Sequence, residues 1–285
     1  MDGSQAPMTN PLAYVGLERL DDGAIAVLTL DDPVRTNAMS VEMGDALRAR
    51  VDALKTDATL RCVIVRAAGR DFSIGGTRQM LSGLADSDST AGERHDFMLG
   101  FYDRWLSVLE LPVPVIVVIQ GACIGVAPVW ACLGDICVAE TTARFQITFA
   151  HLGLYPGMAL SYLVPRAVGP QAGALALLEG GSFSGRDALA MGFAARTARD
   201  GNGFAEALQI ARDICANVPA VIRDLVQTLR LRRETLDPVL EDDARHQARS
   251  YATSEFKARI ANYLPEFYGR GGAAEQGSRS GQEQP

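Results

Sequence analysis

Two rhythms of apolar and polar residues alternate along this chain. Short unbroken apolar runs at 24–30 (AIAVLTL), 62–65 and 113–119 have the length and β-branched content of strands buried on both faces. Between them the spacing changes. Met43, Leu47, Val51 and Leu54 recur three or four residues apart behind Ser40, a favourable helix cap, which predicts a helix over 41–55. Helical spacing returns at 97–109, 160–168, 171–178 and 185–191, and short strands are predicted at 136–139 and 144–147. The stretch 82–93, with Gly83, Gly92 and several Ser and Asp residues, reads as a mobile polar loop. From Phe204 onward only helical spacing remains. Strands alternating with helices imply right-handed crossovers and a parallel sheet with helices on both faces. The expected organisation is an α/β core over 11–203 and a helical region over 204–268, with the polar segments 1–10 and 269–285 disordered.

Two of the buried runs lead into glycine-bearing turns. Residues 62–65 precede FSIGGTRQM at 72–80, which turns on Gly75 and Gly76. Residues 113–119 precede QGACIGVAPVWACLGD at 120–135, which turns on Gly121 and Gly125 and continues as a helix-like apolar segment. Turns of this kind, between a buried strand and a helix, present backbone N–H groups to a bound oxygen. Two of them aimed at one point form an oxyanion hole.

Composition narrows the field. Of 285 residues, 48% are hydrophobic, enough for a full core, and the net charge of −7 makes nucleic acid and anionic membrane poor partners. The uncharged stretch 111–134 is long enough to cross a bilayer, but Pro112, Pro114, Gly121, Gly125 and Pro128 favour a strand, a turn and a helix over one continuous span. The N-terminus is polar and lacks an apolar signal segment. Cys62, Cys123, Cys132, Cys137 and Cys215 lie in apolar segments without CxxC or metal-ligand spacing, and read as buried reduced thiols of a cytoplasmic protein. No metal site is expected.

Seven segments in order carry a family resemblance: LDDPVRTNAMS at 30–40, FSIGG at 72–76, PVIVVIQGACIG at 114–125, GDICVAE at 134–140, LGLYPGMA at 152–159, VPRAVG at 164–169 and GRDALAMGFA at 185–194. The chain resembles the crotonase, or enoyl-CoA hydratase/isomerase, superfamily. The resemblance implies a spiral of ββα turns ending in a helical trimerisation region, in a homotrimer or hexamer. It implies acyl thioesters carried on the pantetheine arm of CoA or an acyl carrier protein, with no other cofactor. The two oxyanion donors then fall on the amides of Gly76 and Val126, and the adenine-end contacts of CoA on Val34, Arg35, Ser73 and Ile74. The two hydratase glutamates fall on Val129 and Phe149, which cannot move a proton and are expected to line an apolar acyl pocket.

A narrower resemblance rests on IGGTRQML at 74–81, TFAHLGLYPGMALSYLVPRAVG at 148–169 and ARHQARSYATSEFKARI at 244–260. These are similar to the decarboxylating crotonases of polyketide β-branching. That likeness implies His246 as the proton donor and Arg78 as the cation that holds the departing carboxylate. It also implies contacts to substrate from His151 and Tyr155. The expected activity is that of a lyase forming and protonating a thioester enolate. The alternatives are a divergent hydratase or C–C hydrolase with a histidine base, and a catalytically silent subunit that binds acyl thioesters.

Overall fold

The protein is described by a computed structural model over residues 11–262. Strand β1 (Val15–Leu20) and β2 (Ile25–Leu30) form an antiparallel hairpin closed through Asp21, Asp22 and Gly23, all at positive φ. Then follow α1 (Val41–Leu54), β3 (Cys62–Ala67), α2 (Arg78–Asp86), α3 (Ala91–Leu106), β4 (Val115–Ile119), β5 (Ala122–Ile124) and the single turn α4 (Trp130–Leu133). The chain continues through β6 (Ile136–Glu140), β7 (Arg144–Gln146), the single turn α5 (Phe149–Leu152), α6 (Leu160–Val168), α7 (Pro170–Leu178), β8 (Ser182–Ser184), α8 (Gly185–Met191) and β9 (Arg196–Ala198). It ends in four helices: α9 (Gly203–Cys215), α10 (Pro219–Leu229), α11 (Arg233–Tyr251) and α12 (Ser254–Asn262).

The main sheet has the order β1-β2-β3-β4-β6-β9, parallel from β2 onward, with Val27 opposite Ile64, Ile64 opposite Ile116 and Val117 opposite Cys137. A second sheet has the order β5-β7-β8. Alternation along each strand divides the main sheet into two cores. Cys62, Ile64, Ile116 and Val118 face α9, where Ala207 and Ala211 meet them. Val63, Val65, Val115 and Val117 face the larger core, which holds Met43, Leu47, Trp105, Trp130 and Phe72. Trp105 and Trp130 meet edge to face with centroids 6.2 Å apart. Burying side chains of this size contributes about 1.5–3 kcal/mol each, so this layer fixes how α1 and α3 lie on the sheet.

The α/β architecture expected from sequence is present, with a C-terminal helical region that packs α11 along α3, and α12 against α2 and α5. Four local expectations are corrected. Residues 82–93 are mostly helical, with only 87–90 left as a loop: Thr77 caps α2 by accepting from the Met80 amide, and Thr90 and Glu93 form a capping box that starts α3 at Ala91. The apolar stretch after Gly125 is only a 3-10 turn and the single turn α4, which ends at Gly134. The short strands β1, β5, β8 and β9 carry too little alternation to be read from sequence. The sheet is therefore mixed, with β1 antiparallel at its edge. The segments 1–10 and 269–285, expected to be disordered, lie outside the described residues. Among the described residues no helix is long and apolar enough to cross a membrane, the five cysteines are unpaired, and no cluster of His, Cys, Asp and Glu could hold a metal ion.

Candidate active site

The turn after β3 is held open by its own side chains. Asn37, wholly buried at φ 48°, donates from Nδ2 to the carbonyls of Ala68 (2.8 Å) and Asp71 (3.0 Å). Ser73 Oγ donates to the Asn37 carbonyl at 2.7 Å and accepts from the Gly75 amide at 3.2 Å. Met39 then pairs with the turn: its amide donates to the Gly75 carbonyl at 2.7 Å, and its carbonyl accepts from the Thr77 amide at 3.3 Å. Adjacent residues of an extended segment direct their backbone polar groups to opposite sides. The bonds of Gly75 and Thr77 therefore turn the N–H and C=O of Gly76 away from Met39.

The turn after β5 meets it. The Gly125 amide donates to the Gln146 carbonyl at 2.9 Å, and Gly125 takes φ +69° to bring Val126 round. Gly75, at φ +82°, lies against this second turn: a Cβ there would stand 2.8 Å from the Ile124 carbonyl oxygen and 3.0 Å from the Val126 nitrogen. Gly76 and Val126 both line one cavity of about 50 Å³.

The rest of the cavity wall is largely apolar, with Ile74, Met98, Phe101, Phe149, Leu152, Leu154 and Ile260 among its residues. Five polar side chains interrupt it: Arg78, Tyr102, Thr148, Gln247 and Tyr251, whose hydroxyl donates to the Met98 sulfur at 3.7 Å. Arg78 opens α2 and donates to the Ala261 carbonyl at 3.2 Å, at the end of α12, where a cation suits the helix dipole. The Tyr102 hydroxyl donates to Gln247 Oε1 at 2.7 Å, and Gln247 Nε2 donates to the Tyr155 carbonyl at 2.8 Å. Burial pushes the Tyr102 hydroxyl well above the ordinary phenol range, opposed by a hydrogen bond from the Met158 amide. Gly157 makes room for the pair, since a Cβ there would stand 2.5 Å from the Tyr102 oxygen and 2.8 Å from Gln247 Nε2.

Behind the wall, Met158 and Ala159 sit at φ 57° and 59°. Two adjacent non-glycine residues in this region are costly and persist only where their surroundings impose them. Asp243 imposes them here. Its carboxylate accepts from the Ala159 amide at 2.7 Å and the Ser161 hydroxyl at 3.1 Å, and burial pushes its pKa up to about 7.

The residues expected from sequence divide between the cavity and its surroundings. Gly76, Val126, Arg78, Ile74 and Phe149 line it. Ser73 is wholly buried, shapes the first turn and is not part of the cavity wall. Val129 is wholly buried in the core, on the 3-10 turn beside the cavity, and does not form its wall. Val34 is 90% exposed, and Arg35 is an exposed ion-pair partner of Asp32 at 2.5 Å, both outside the cavity. His151 is exposed and bonds the Glu179 carbonyl at 2.7 Å through Nε2. Tyr155 contributes its backbone carbonyl to Gln247, while its ring stacks on His246 with centroids 4.5 Å apart. His246 itself is exposed and does not line the cavity. Successive helical residues point about 100° apart, so α11 turns Gln247 inward and His246 outward.

Tyr102, Thr148, Gly157, Asp243 and Gln247 were not identified from sequence. For α11 a signal existed. Leu236, Leu240, Ala244 and Tyr251 mark the inward stripe at spacings of four, four and seven, and Asp243 and Gln247 lie on it. Tyr102 and Thr148 offered no such marker.

Residues 21–266 match the enoyl-CoA hydratase/isomerase family. A relative named "Probable enoyl-CoA hydratase" in Mycobacterium tuberculosis is 31% identical over 251 residues, covering 84% of this chain and 94% of that protein. An enoyl-CoA hydratase structure from Bacillus halodurans superposes with a TM-score of 0.80 at 22% identity, over 88% of this chain and 100% of that one. A structure described as part of a dehydratase/decarboxylase enzyme couple involved in polyketide β-branching superposes with a TM-score of 0.77 at 23% identity, over 90% of this chain and 99% of that one.

Proposed function

The chain belongs to the enoyl-CoA hydratase/isomerase family, and on that premise we propose that it is a lyase that removes CO₂ from a carboxylated enoyl thioester. One observation carries this reading. Among the described residues that line the cavity, Arg78 is the only charged side chain, and no carboxylate or imidazole is present. Hydration needs a group to activate water, and double-bond isomerisation by proton transfer needs a base to take a proton from carbon. Loss of CO₂ from a glutaconyl-type thioester needs neither. The C–C bond breaks heterolytically, its electron pair moves into the conjugated system, and negative charge grows on the thioester oxygen. In this reading the Gly76 and Val126 amides stabilise that oxygen, a kind of donor whose removal from other enzymes costs about 2.7–4 kcal/mol. Arg78 docks the carboxylate before it leaves. The apolar wall keeps water from the dienolate.

The family premise, the β-branching neighbour at the level of fold and the cavity's lack of a base all support this reading. For the carrier of the acyl group we favour CoA over a carrier protein. A carrier protein's acidic surface calls for unengaged cations, and four arginines that could supply them are occupied. Arg35 pairs with Asp32, Arg223 bonds the carbonyls of Ala58 and Leu60, Arg230 pairs with Asp135, and Arg233 pairs with Asp103 and Asp237. We also infer assembly of several copies through the C-terminal helices, supported by Val218, Val221, Leu225 and Leu229, exposed on and beside α10.

The test is incubation with a glutaconyl-type CoA thioester and with crotonyl-CoA, followed by mass spectrometry. CO₂ release from the first and no water addition to the second is the expected result. Hydration of crotonyl-CoA without decarboxylation overturns the reading.

A further inference from the structure

A dienolate left by decarboxylation must gain a proton, and the residues around the cavity narrow the choice of donor. Resting on the decarboxylase reading above, we propose that the Tyr102 hydroxyl, held by Gln247, protonates the dienolate and fixes which of its carbons receives the proton.

The argument is one of position and chemistry. Of the five polar side chains that line the cavity, Gln247 is an amide and not a useful acid, and Thr148 is an aliphatic alcohol. Arg78 carries a guanidinium, which is not a useful proton donor. Two phenols remain: Tyr251 donates to the Met98 sulfur at 3.7 Å, and Tyr102 is the one joined to Gln247. The Tyr102 hydroxyl receives a hydrogen bond from the Met158 amide and donates to Gln247 Oε1 at 2.7 Å, so its oxygen is fixed at the cavity wall and its proton, resting on Gln247, must turn from that acceptor to reach a bound dienolate. Gln247 is itself fixed by its 2.8 Å bond to the Tyr155 carbonyl. His246, on the outward side of the same helix, stacks on the Tyr155 ring and does not reach the cavity.

The step balances without a co-reactant beyond water. The O–H bond of Tyr102 breaks as a C–H bond forms at one terminus of the dienolate. The neutral enoyl thioester results, and the phenolate then takes a proton from solvent at the cavity mouth. A thioester dienolate is a stronger base than a phenolate, so the transfer runs downhill. Burial favours the neutral hydroxyl, which keeps the donor loaded across the physiological range. This predicts a labelling pattern unlike that of an imidazole donor, whose protonation changes near pH 6.5.

The experiment is decarboxylation of a glutaconyl-type CoA thioester in D₂O by the wild-type protein, Tyr102→Phe, Gln247→Met and His246→Ala, with NMR of the deuterium position in the product. The wild type should place one deuterium at one carbon, with the same positional ratio from pH 6 to pH 8. In Tyr102→Phe, CO₂ release should persist while the positional ratio falls by a factor on the order of 10², the low end of what a positioned proton donor contributes. Gln247→Met, which keeps the hydroxyl but removes its acceptor, should lower the ratio less; it also reads the proposal should Tyr102→Phe fold poorly. His246→Ala should leave it unchanged. An unchanged ratio in Tyr102→Phe, or a ratio lost in His246→Ala, overturns this inference alone. Absence of CO₂ release by the wild type overturns the decarboxylase reading and this inference together.

Discussion

Gly75 packs against Val126 so closely that a methyl group on Gly75 would stand 3.0 Å from the Val126 nitrogen and 2.8 Å from the Ile124 carbonyl oxygen. That single approach joins the turn after β3 to the turn after β5 and gives the cavity two backbone walls. Gly75→Ala meets two penalties, a left-handed backbone at φ +82° and a clash with main-chain atoms that cannot swing aside. The expected loss of stability is about 2–3 kcal/mol, read from urea denaturation. The expected loss of turnover is at least about 10², as for removal of an oxyanion donor. Gly125→Ala is the control. Its φ of +69° is also strained, but its Cβ would meet nothing closer than 3.4 Å. It should lose stability by about 1–2 kcal/mol and less turnover than Gly75→Ala.

Arg78 bridges the mouth of the cavity to the end of α12 through the Ala261 carbonyl. If it docks the carboxylate that leaves as CO₂, its removal discriminates between substrates. Arg78→Gln should lower kcat/KM for a carboxylated thioester by about 10², the size of a lost charge-assisted contact. Binding of the matching non-carboxylated thioester should change less than about threefold. Arg78→Lys, which keeps charge but not the planar fork, should fall between them. Isothermal titration with the two ligands, beside steady-state rates, separates these outcomes. An equal loss for both ligands would assign Arg78 to the CoA arm instead.

The strands and turns that build this site were legible because a buried parallel sheet writes itself as unbroken apolar runs. Residues 62–65 and 113–119 could be read as strands, and the glycines after them as turns, from the chain alone. The short β1, β8 and β9 were not legible, since tertiary pairing and not local pattern makes them strands. Ser82, Gly83 and Asp86 looked like loop, but the cap at Thr77 and the apolar face of Met80, Leu81 and Leu84 outweigh their low propensity. The site was half legible for a related reason. A backbone donor is announced by its glycine turn, whereas a side-chain wall is set by helix rotation. A one-residue step on α11 separates Gln247, in the cavity, from His246, in solvent.

Asp243 makes stability depend on pH in a stated direction. Burial raises its folded-state pKa from the ordinary carboxylate range to about 7, while the Ala159 amide and Ser161 hydroxyl oppose that rise and nearby Asp242 adds to it. A group raised on folding stabilises the native state most below its unfolded pKa, and that contribution is lost as pH climbs through the folded value. Relative to Asp243→Asn, the wild type should therefore lose stability between about pH 4 and pH 7, by a few kcal/mol in order of magnitude, and then level off. Urea midpoints of both proteins at half-unit pH steps measure the difference. A constant offset between them would mean that Asp243 does not titrate in this window.

Phe149 and Val129 were both expected to form the acyl wall, and the structure separates them: Phe149 lines the cavity and Val129 is wholly buried outside it. The cavity has a volume of about 50 Å³, and on the proposed reading the residue that lines it sets acyl size while the one buried outside it does not. Phe149→Ala should shift preference toward chains about two methylenes longer. At about 0.8 kcal/mol per buried methylene, the ratio of kcat/KM between long and short substrates should rise roughly 15-fold. Val129→Ala should cost about 1–3 kcal/mol of stability as a core truncation and leave that ratio within about twofold. Competition between two CoA thioesters of different chain length, read by mass spectrometry, gives the ratio directly. A larger shift in Val129→Ala than in Phe149→Ala would mean that the acyl group lies on the opposite side of α4 from the cavity described above.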